Sequence, residues 1–363
     1  MKQYRLQLVR EREIPLKHDI QTLGFYKENQ LVILTKAGEV MLYDMAAQST
    51  ILLCECSSVC SGFDPAAKSS VYTLDDIIVI VNDFKTQGLL INRKEEYRMS
   101  IGRTDYHADI SQYPVALFRN EAQEPCMIYG TAWNEIHIAN LATRQILTAD
   151  KSLIEVGAEQ RHIDFYKKHE ERNKFMWPRA FDYFYGKLIL SPDQRSFVSA
   201  GWVWGSADCC MHFELQDFIE NHRIKAEQVG CWEHNGRGLC FLDNDTIAVL
   251  CNPYLDDEDD AVKDAPYEIR LYCRDGGGEK QRIILEPSLD LKGAELYYLP
   301  TEQCFLSFAE ASGVVLISPD GETVMQEKAQ VPDYYDDKRK YMVNSNGKSV
   351  TVYTLSTRQR RGC

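Results

Sequence analysis

A short apolar strand, a polar residue and a turn recur along this chain about every 50 residues. The copies read Leu42-Tyr43-Asp44-Met45, Leu90-Ile91-Asn92-Arg93, Ile138-Ala139-Asn140-Leu141, His212-Phe213-Glu214-Leu215, Leu271-Tyr272-Cys273-Arg274, Leu316-Ile317-Ser318-Pro319 and Val352-Tyr353-Thr354-Leu355. The third residue falls at 44, 92, 140, 214, 273, 318 and 354, so the steps are 48, 48, 74, 59, 45 and 36. A period of this length marks one supersecondary unit used many times, and four short strands fill each unit. The expectation is an all-β chain folded as a β-propeller of seven four-stranded blades. Six or eight blades and a β-sandwich are the competing architectures. Seven blades need roughly 315–350 residues, so one propeller domain spans 1–363. A hydrophobic share of 44% supplies the core such a ring requires.

The strands read off as short apolar runs between turn residues. The first blade takes Ile20–Phe25, Leu31–Thr35, Val40–Asp44 and Thr50–Leu53. The second takes Val71–Leu74, Ile77–Val81, Gly88–Ile91 and Tyr97–Ile101, and the third Val115–Arg119, Cys126–Thr131, Glu135–Ala139 and Gln145–Thr148. Blades four, five and six show three strands each. The last unit shows two, Lys340–Val343 and Ser349–Thr354, before the chain runs out. At the other end, Tyr4–Val9 is a strand with no blade of its own. An N-terminal strand that completes the last blade resolves both defects and removes an exposed sheet edge.

Two insertions break the period. Residues 151–183 account for the step of 74, and Glu159 to Lys174 within them is charged and free of Gly and Pro, so a helix is expected there. The second is an acidic loop, 253–266, carrying Asp256-Asp257-Glu258-Asp259-Asp260. That run lacks the alternation and the glycine of a calcium loop. Inserted loops at blade ends are where a propeller commonly carries binding specificity.

A formal charge of −13 argues against nucleic acid and against anionic membranes as partners. The basic cluster Arg358-Gln359-Arg360-Arg361 reads as a solvated tail. Met1 to Pro15 contains no signal-peptide core, and no stretch approaches 18 uninterrupted apolar residues. Many of the twelve cysteines (Cys126, Cys210, Cys240, Cys251 and Cys304 among them) sit in apolar strand patterns. Buried, reduced thiols in a cytoplasm are expected, rather than a disulfide framework. The adjacent Cys209 and Cys210 should face opposite sides of a strand. Cys54-Glu55-Cys56 with Cys60 lacks the second knuckle that closes a zinc site. His162 and His169 stand about 10.5 Å apart along a helix, too far to share a metal. No cofactor and no metal are expected.

The segment Leu190-Ser191-Pro192-Asp193-Gln194-Arg195-Ser196-Phe197-Val198-Ser199-Ala200-Gly201-Trp202-Val203-Trp204 resembles the strand pair around the Ser-Pro-Asp-Gly turn of bacterial WD40-like propeller repeats. Phe184-Tyr185-Gly186 precedes it, and Ser318-Pro319-Asp320-Gly321 repeats the turn elsewhere. The chain lacks the Gly-His and Trp-Asp pairs of true WD40 repeats, with Tyr43-Asp44 the nearest equivalent. The resemblance implies an interaction module and transfers no active-site residue.

Enzyme motifs are absent from the sequence: there is no Gly-x-Ser-x-Gly elbow, no phosphate loop and no His-Glu-x-x-His. The expected function is a non-enzymatic binding or scaffold protein that engages a protein partner. A hydrolase with carboxylates such as Asp182, Asp193 and Glu233 at one channel mouth is the alternative. The candidate binding residues lie where the first insertion meets blade four: Trp177, Arg179, Asp182, Tyr183, Trp202 and Trp204. Trp202 and Trp204 are two apart, so on a strand they share a face. The competing reading makes these rings filler between blades.

Overall fold

The computed structural model describes residues 3–56, 62–169, 178–205, 207–233, 238–251, 266–328 and 331–357. Their strands form seven four-stranded antiparallel sheets, the blades of a β-propeller. After β1 (Tyr4–Glu13), blade one is β2 (Ile20–Lys27), β3 (Gln30–Thr35), β4 (Glu39–Asp44) and β5 (Ser49–Glu55). Blade two is β6 (Ser69–Leu74), β7 (Ile77–Asn82), β8 (Gln87–Asn92) and β9 (Tyr97–Gly102). Blade three is β10 (Val115–Arg119), β11 (Pro125–Ala132), β12 (Glu135–Asn140) and β13 (Gln145–Ile146). Helix α1 (Ala158–Lys168) precedes blade four, which is β14 (Phe184–Leu190), β15 (Ser196–Val203), β16 (Ala207–Glu214) and, after helix α2 (Leu215–Glu220), β17 (Glu227–Glu233). Blade five is β18 (Leu239–Phe241), β19 (Thr246–Cys251), β20 (Glu268–Cys273) and β21 (Glu279–Ile284). Blade six is β22 (Glu295–Leu299), β23 (Cys304–Ala309), β24 (Gly313–Ile317) and β25 (Thr323–Glu327). Blade seven is β26 (Tyr334–Asp336), β27 (Tyr341–Asn346), β28 (Ser349–Thr357) and β1.

First strands touch first strands around the ring: β2 meets β6, β6 meets β10, β10 meets β14, β14 meets β18, β18 meets β22, and β26 meets β2. They therefore line the centre, and each blade runs outward from there. Every blade is entered in the same direction. The starts of its first and third strands and the ends of its second and fourth thus share one face of the ring, called here the entry face.

The second strands explain why the sequence reads as apolar runs. A strand buried on both sides alternates between two cores rather than between core and water. In β3, Leu31 and Ile33 pack toward blade seven, while Val32 and Leu34 pack toward blade two. In β19, Ile247, Val249 and Cys251 face blade four, while Ala248 and Leu250 face blade six. Cys209 and Cys210 divide the same way, the first into the core between blades three and four and the second into that between four and five. Cys126, Cys210, Cys240, Cys251 and Cys304 are all buried.

The recurring polar residue has a mechanical role at the end of the third strand. Asp44 accepts the backbone N–H groups of Ala46 and Ala47, each at 2.9 Å. Asn92 accepts from Glu95 at 3.0 Å, and Asn140 from Ala142 and Thr143 at 2.9 and 3.1 Å. Each side chain satisfies turn donors that would otherwise lack a partner, and so fixes the reversal into the outermost strand.

The helix in the first insertion ends earlier than the sequence suggests, at Lys168, and buries no side chain. Residues 170–177, the acidic run 256–260 and the basic tail lie outside the described residues. The base of the insertion is laced to the connection between α2 and β17. Ser152 and Val156 donate to the carbonyls of His222 and Ile224, both at 2.8 Å, and Phe181 donates to Leu153 at 2.6 Å. The four-strand count required strands the sequence does not display. In blade four this is β17, in blade six β25, in blade five the almost wholly exposed β21, and in blade seven the three-residue β26.

Ring closure follows the expected route. β1 pairs with β28 from Tyr4–Thr357 to Glu13–Ser349, with one bulge between Leu8 and Arg10. Leu6 also donates its backbone N–H to Glu327 at 2.7 Å, tying the strand to blade six. Deleting residues 1–13 should therefore lower the melting temperature by several degrees, since even ~1 kcal/mol shifts Tm by about 2–4 °C in a domain of 150–250 residues. An unchanged melting curve for the truncated protein would contradict closure by this strand.

Candidate functional site

Two glycines allow an aromatic rim to form on the entry face. β14 and β15 pair with a register shift between Phe184 and Lys187. A Cβ on Gly186 would run into the Ala200 carbonyl, and one on Gly201 into the Phe184 carbonyl and the Tyr183 ring. Only glycine lets the two strands approach this closely. Across the join, Phe184 stands directly opposite Trp202, and their rings stack at 3.7 Å with planes 8° apart.

Other blades add to that stack. Trp133, in the turn between β11 and β12, lies 4.4 Å from Phe184. His107, in the connection from β9 to β10, meets Phe184, Trp202 and Trp204 edge-on at 5.5, 5.6 and 5.4 Å. Tyr106 lies 6.2 Å from Trp204, and the two tryptophans of β15 and its following turn are 6.0 Å apart. Phe184 is wholly covered and Trp202 is 7% exposed. Trp204 is 51% exposed and Tyr106 46%. The rim is a rigid aromatic base under two open rings.

The structure sorts the sequence candidates accordingly. Trp202 and Trp204 share a face as expected. Trp202 is nevertheless interior, with its indole N–H donating to Ser111 Oγ at 2.9 Å. Tyr183 is fully buried and presents nothing to a partner. Its hydroxyl reaches the carbonyls of Ser199 and Cys209, both at 2.8 Å, so it serves the core between blades three and four. Arg179 and Asp182 are exposed beside it. Trp177 lies outside the described residues. Sequence reasoning missed Tyr106, His107, Trp133 and Phe184. An unpaired tryptophan in the tight turn Ala132-Trp133-Asn134 was the available signal.

The connection that carries Tyr106 and His107 is held down by a buried cation. The Arg103 guanidinium donates to Lys85 O at 3.0 Å, Ala108 O at 3.0 Å and Ser111 O at 2.6 Å, and it lies 4.9 Å over the Tyr113 ring. Burial pulls its pKa down to about 10, with Tyr113 and then Asp83 opposing, so it stays charged at neutral pH. Beside this connection a cavity of about 280 Å³ opens at the channel mouth, bounded by Phe84, Ile110, Trp202, Lys68, Lys187 and Glu295 among others. Phe84 is 38% and Ile110 55% exposed, which extends the apolar surface from the rim to the channel. Lys187 Nζ stands 3.5 Å from Glu295 Oε1, and this lysine above all holds the Glu295 carboxyl below its ordinary pKa.

Two carboxylates of the hydrolase alternative, Asp182 and Asp193, do not meet. Asp182 precedes the start of β14 and Asp193 follows its end, so they occupy opposite faces of the ring. The Glu233 side chain lies outside the described residues. Among the described residues, no group of three or more His, Cys, Asp or Glu is placed to hold a metal ion. Among the described residues, no helix is long and apolar enough to cross a membrane.

A second cavity, of about 350 Å³, opens near the opposite face between blades four and five, and His212, Glu214 and Arg274 line it. Arg274 pairs with Glu214 and Asp245, each at 3.1 Å. His212 is 2% exposed, its Nε2 3.9 Å from Glu214. Burial, and after it the charge of Arg274, hold its imidazole down to about 4, with Asp275 opposing.

Two stability predictions follow from these contacts. Replacing buried Trp202 by Ala should cost about 3–5 kcal/mol, while the same change at Trp204 should stay within about 0.5 kcal/mol. Urea unfolding of both variants checks this, and equal losses would refute the division into base and open ring. His212 is neutral in the fold, and its folded pKa lies below the unfolded value of about 6.5. The unfolded chain therefore takes up the proton first. The contribution is fully present above pH ~6.5 and is lost as pH falls toward 4, to the order of 3 kcal/mol. His212→Gln should flatten that slope; parallel slopes for both proteins between those pH values would show that His212 does not set it.

No protein-family model matches this chain, and no curated protein matches it. The WD40-like likeness thus rests on the turn and strand-pair pattern alone. Among solved structures the chain is similar to Kuenenia stuttgartiensis hydrazine synthase, at 11% identity over 93% of this chain and 97% of that one, with a TM-score of 0.58. At that identity the likeness concerns the fold alone, and that fold is a seven-bladed β-propeller.

Proposed function

We propose that this propeller is a recognition module that engages a protein partner through the aromatic rim between blades three and four, and that it is not an enzyme. The observation that carries this reading is the pair Trp204 and Tyr106, large rings about half open to solvent above a stacked, buried base. Exposed aromatics on a rigid platform give large contact area with little side-chain entropy to lose, the property of interface hot spots. Ile110 and Phe84 extend the apolar surface, and Arg179 and Asp182 supply charge near it. The WD40-like turn and strand pair support the same class of function. The buried thiols of Cys126, Cys240 and Cys251 fit a reducing compartment such as a cytoplasm.

The test is affinity capture from native extract, followed by affinity measurement for the captured partner. Trp204→Ala and Tyr106→Ala should each weaken binding at least about tenfold without moving the unfolding midpoint. Ile51→Ala, at an equally exposed apolar side chain on β5, should leave binding intact. If Ile51→Ala weakens the complex and the two rim variants do not, the surface lies elsewhere.

A further inference from the structure

β16 and β17 bring two cysteines into direct opposition. In their antiparallel register Cys209 stands across from Cys231, between the pairs Asp208–Trp232 and Cys210–Gly230. Directly opposite residues project to the same side of the sheet, and their Cα atoms lie about 4.5 or 5.5 Å apart, depending on the type of pair. Both separations fall inside the range a disulfide accepts, about 4.4–6.8 Å. The two thiols are already within hydrogen-bonding reach of each other. Their exposures differ: Cys231 is open to solvent and Cys209 is 2% exposed. The ladder shifts register between Cys210 and Met211, one residue away, which gives the strand local twist without breaking the pair. Of the other buried thiols, Cys126, Cys240 and Cys251 stand opposite residues other than cysteine in their ladders.

We propose that Cys209 and Cys231 form an oxidisable dithiol that a hydroperoxide closes into a cross-strand disulfide, reversibly stapling the outer strand of blade four. The exposed Cys231 thiolate attacks one peroxide oxygen, breaking the O–O bond. It becomes a sulfenic acid, and the other oxygen leaves as hydroxide, which takes up a proton to become water. Cys209 sulfur then attacks the Cys231 sulfur, the S–OH bond breaks, and the departing hydroxide takes the Cys209 proton as a second water. Two thiols and one hydrogen peroxide thus give one disulfide and two waters; the sulfurs lose two electrons and the peroxide gains them. Cys209 suits the second step rather than the first, because burial above all pushes its thiol up to about 12 and leaves little thiolate to meet peroxide. The staple would sit one residue along β16 from the position that pairs with Trp202. Asp208, next to Cys209, stands opposite Trp202 on one side and Trp232 on the other. A disulfide of this kind in a reducing compartment is a transient, redox-sensing one.

The experiment treats the full-length folded protein with hydrogen peroxide, blocks remaining thiols with an alkylating reagent, and maps peptides without reduction. The expected result is a peptide pair joined through Cys209 and Cys231, the loss of two alkylatable thiols, a higher melting temperature, and full reversal by dithiothreitol. Cys231→Ser changes an exposed side chain, so it should fold normally, form no cross-link and leave Cys209 reduced. Cys209→Ala should let Cys231 stop at the sulfenic acid, trapped by dimedone. If the wild-type protein instead gives Cys231 sulfinic acid without the cross-link, or joins other cysteines first, the assignment is overturned.

Discussion

Packing of blade against blade is the interaction on which the rest of this structure depends. Each middle strand serves two cores at once, and adjacent residues of one strand belong to different interfaces. No blade is stable as an independent layer, because each of its faces is finished by a neighbour. Seven interfaces then have to close on themselves, and the last closes only because β26 meets β2 and β1 completes blade seven. A fault in one interface is transmitted around the ring, since close-packed interiors have little room to absorb it. Closure also gathers the inner edges of the blades around the channel, where radial repetition leaves them short and protected.

That rigidity is what makes the entry face useful. A stack such as Phe184 on Trp202 needs two strands fixed to within a fraction of an ångström, and the glycines at 186 and 201 supply the approach. The connection from blade two to blade three is long enough to wander, yet it does not. Arg103 gathers three of its surrounding carbonyls at hydrogen-bonding distance, and the Trp202 indole takes Ser111. Hydrogen bonds to a charged donor are among the stronger neutral-pH contacts, of the order of 1.5–3 kcal/mol each. The rim is thus built from loops that behave like scaffold, which limits the entropy a partner would have to remove on binding.

The ring was legible in the sequence for a physical reason, and so were the parts that were not. Strands buried on both faces must be apolar throughout, so β3, β7 and β19 announce themselves. Outermost strands face water and carry little such signal: Glu279–Ile284 reads as a polar connection, and only its backbone pairing with β20 makes it a strand. β26 lies at the centre but is three residues long, too short for any period to show. The aromatic site was half legible. Trp202 and Trp204 share a strand, so their common face follows from alternation. Phe184 meets them through the β14–β15 pairing of their own blade, but Tyr106 and Trp133 join the stack only because blade three stands beside blade four, and no local pattern encodes that neighbour. Whether Tyr183 serves a partner or fills the space between blades was not legible, because an aromatic beside an insertion looks the same in sequence whether it points out or in. The hydrogen bonds that its hydroxyl donates to the Ser199 and Cys209 carbonyls decide the matter.

The channel mouth shows how chemistry is divided between the two kinds of surface on one face. Lys187 and Glu295 pair across blades four and six, and the lysine also lies 5.9 Å over the Tyr297 ring. Asp83, 2% exposed, is pushed above its ordinary pKa by burial, with Ser70 and Lys68 opposing. Charges in such a mouth are partly committed to one another, so they fix the polar lining more than they offer open valences. The aromatic rim has no such internal partners for its outermost rings. Trp204 and Tyr106 are held from below and left open above, which is the arrangement that leaves contact free energy for a second molecule rather than for the fold.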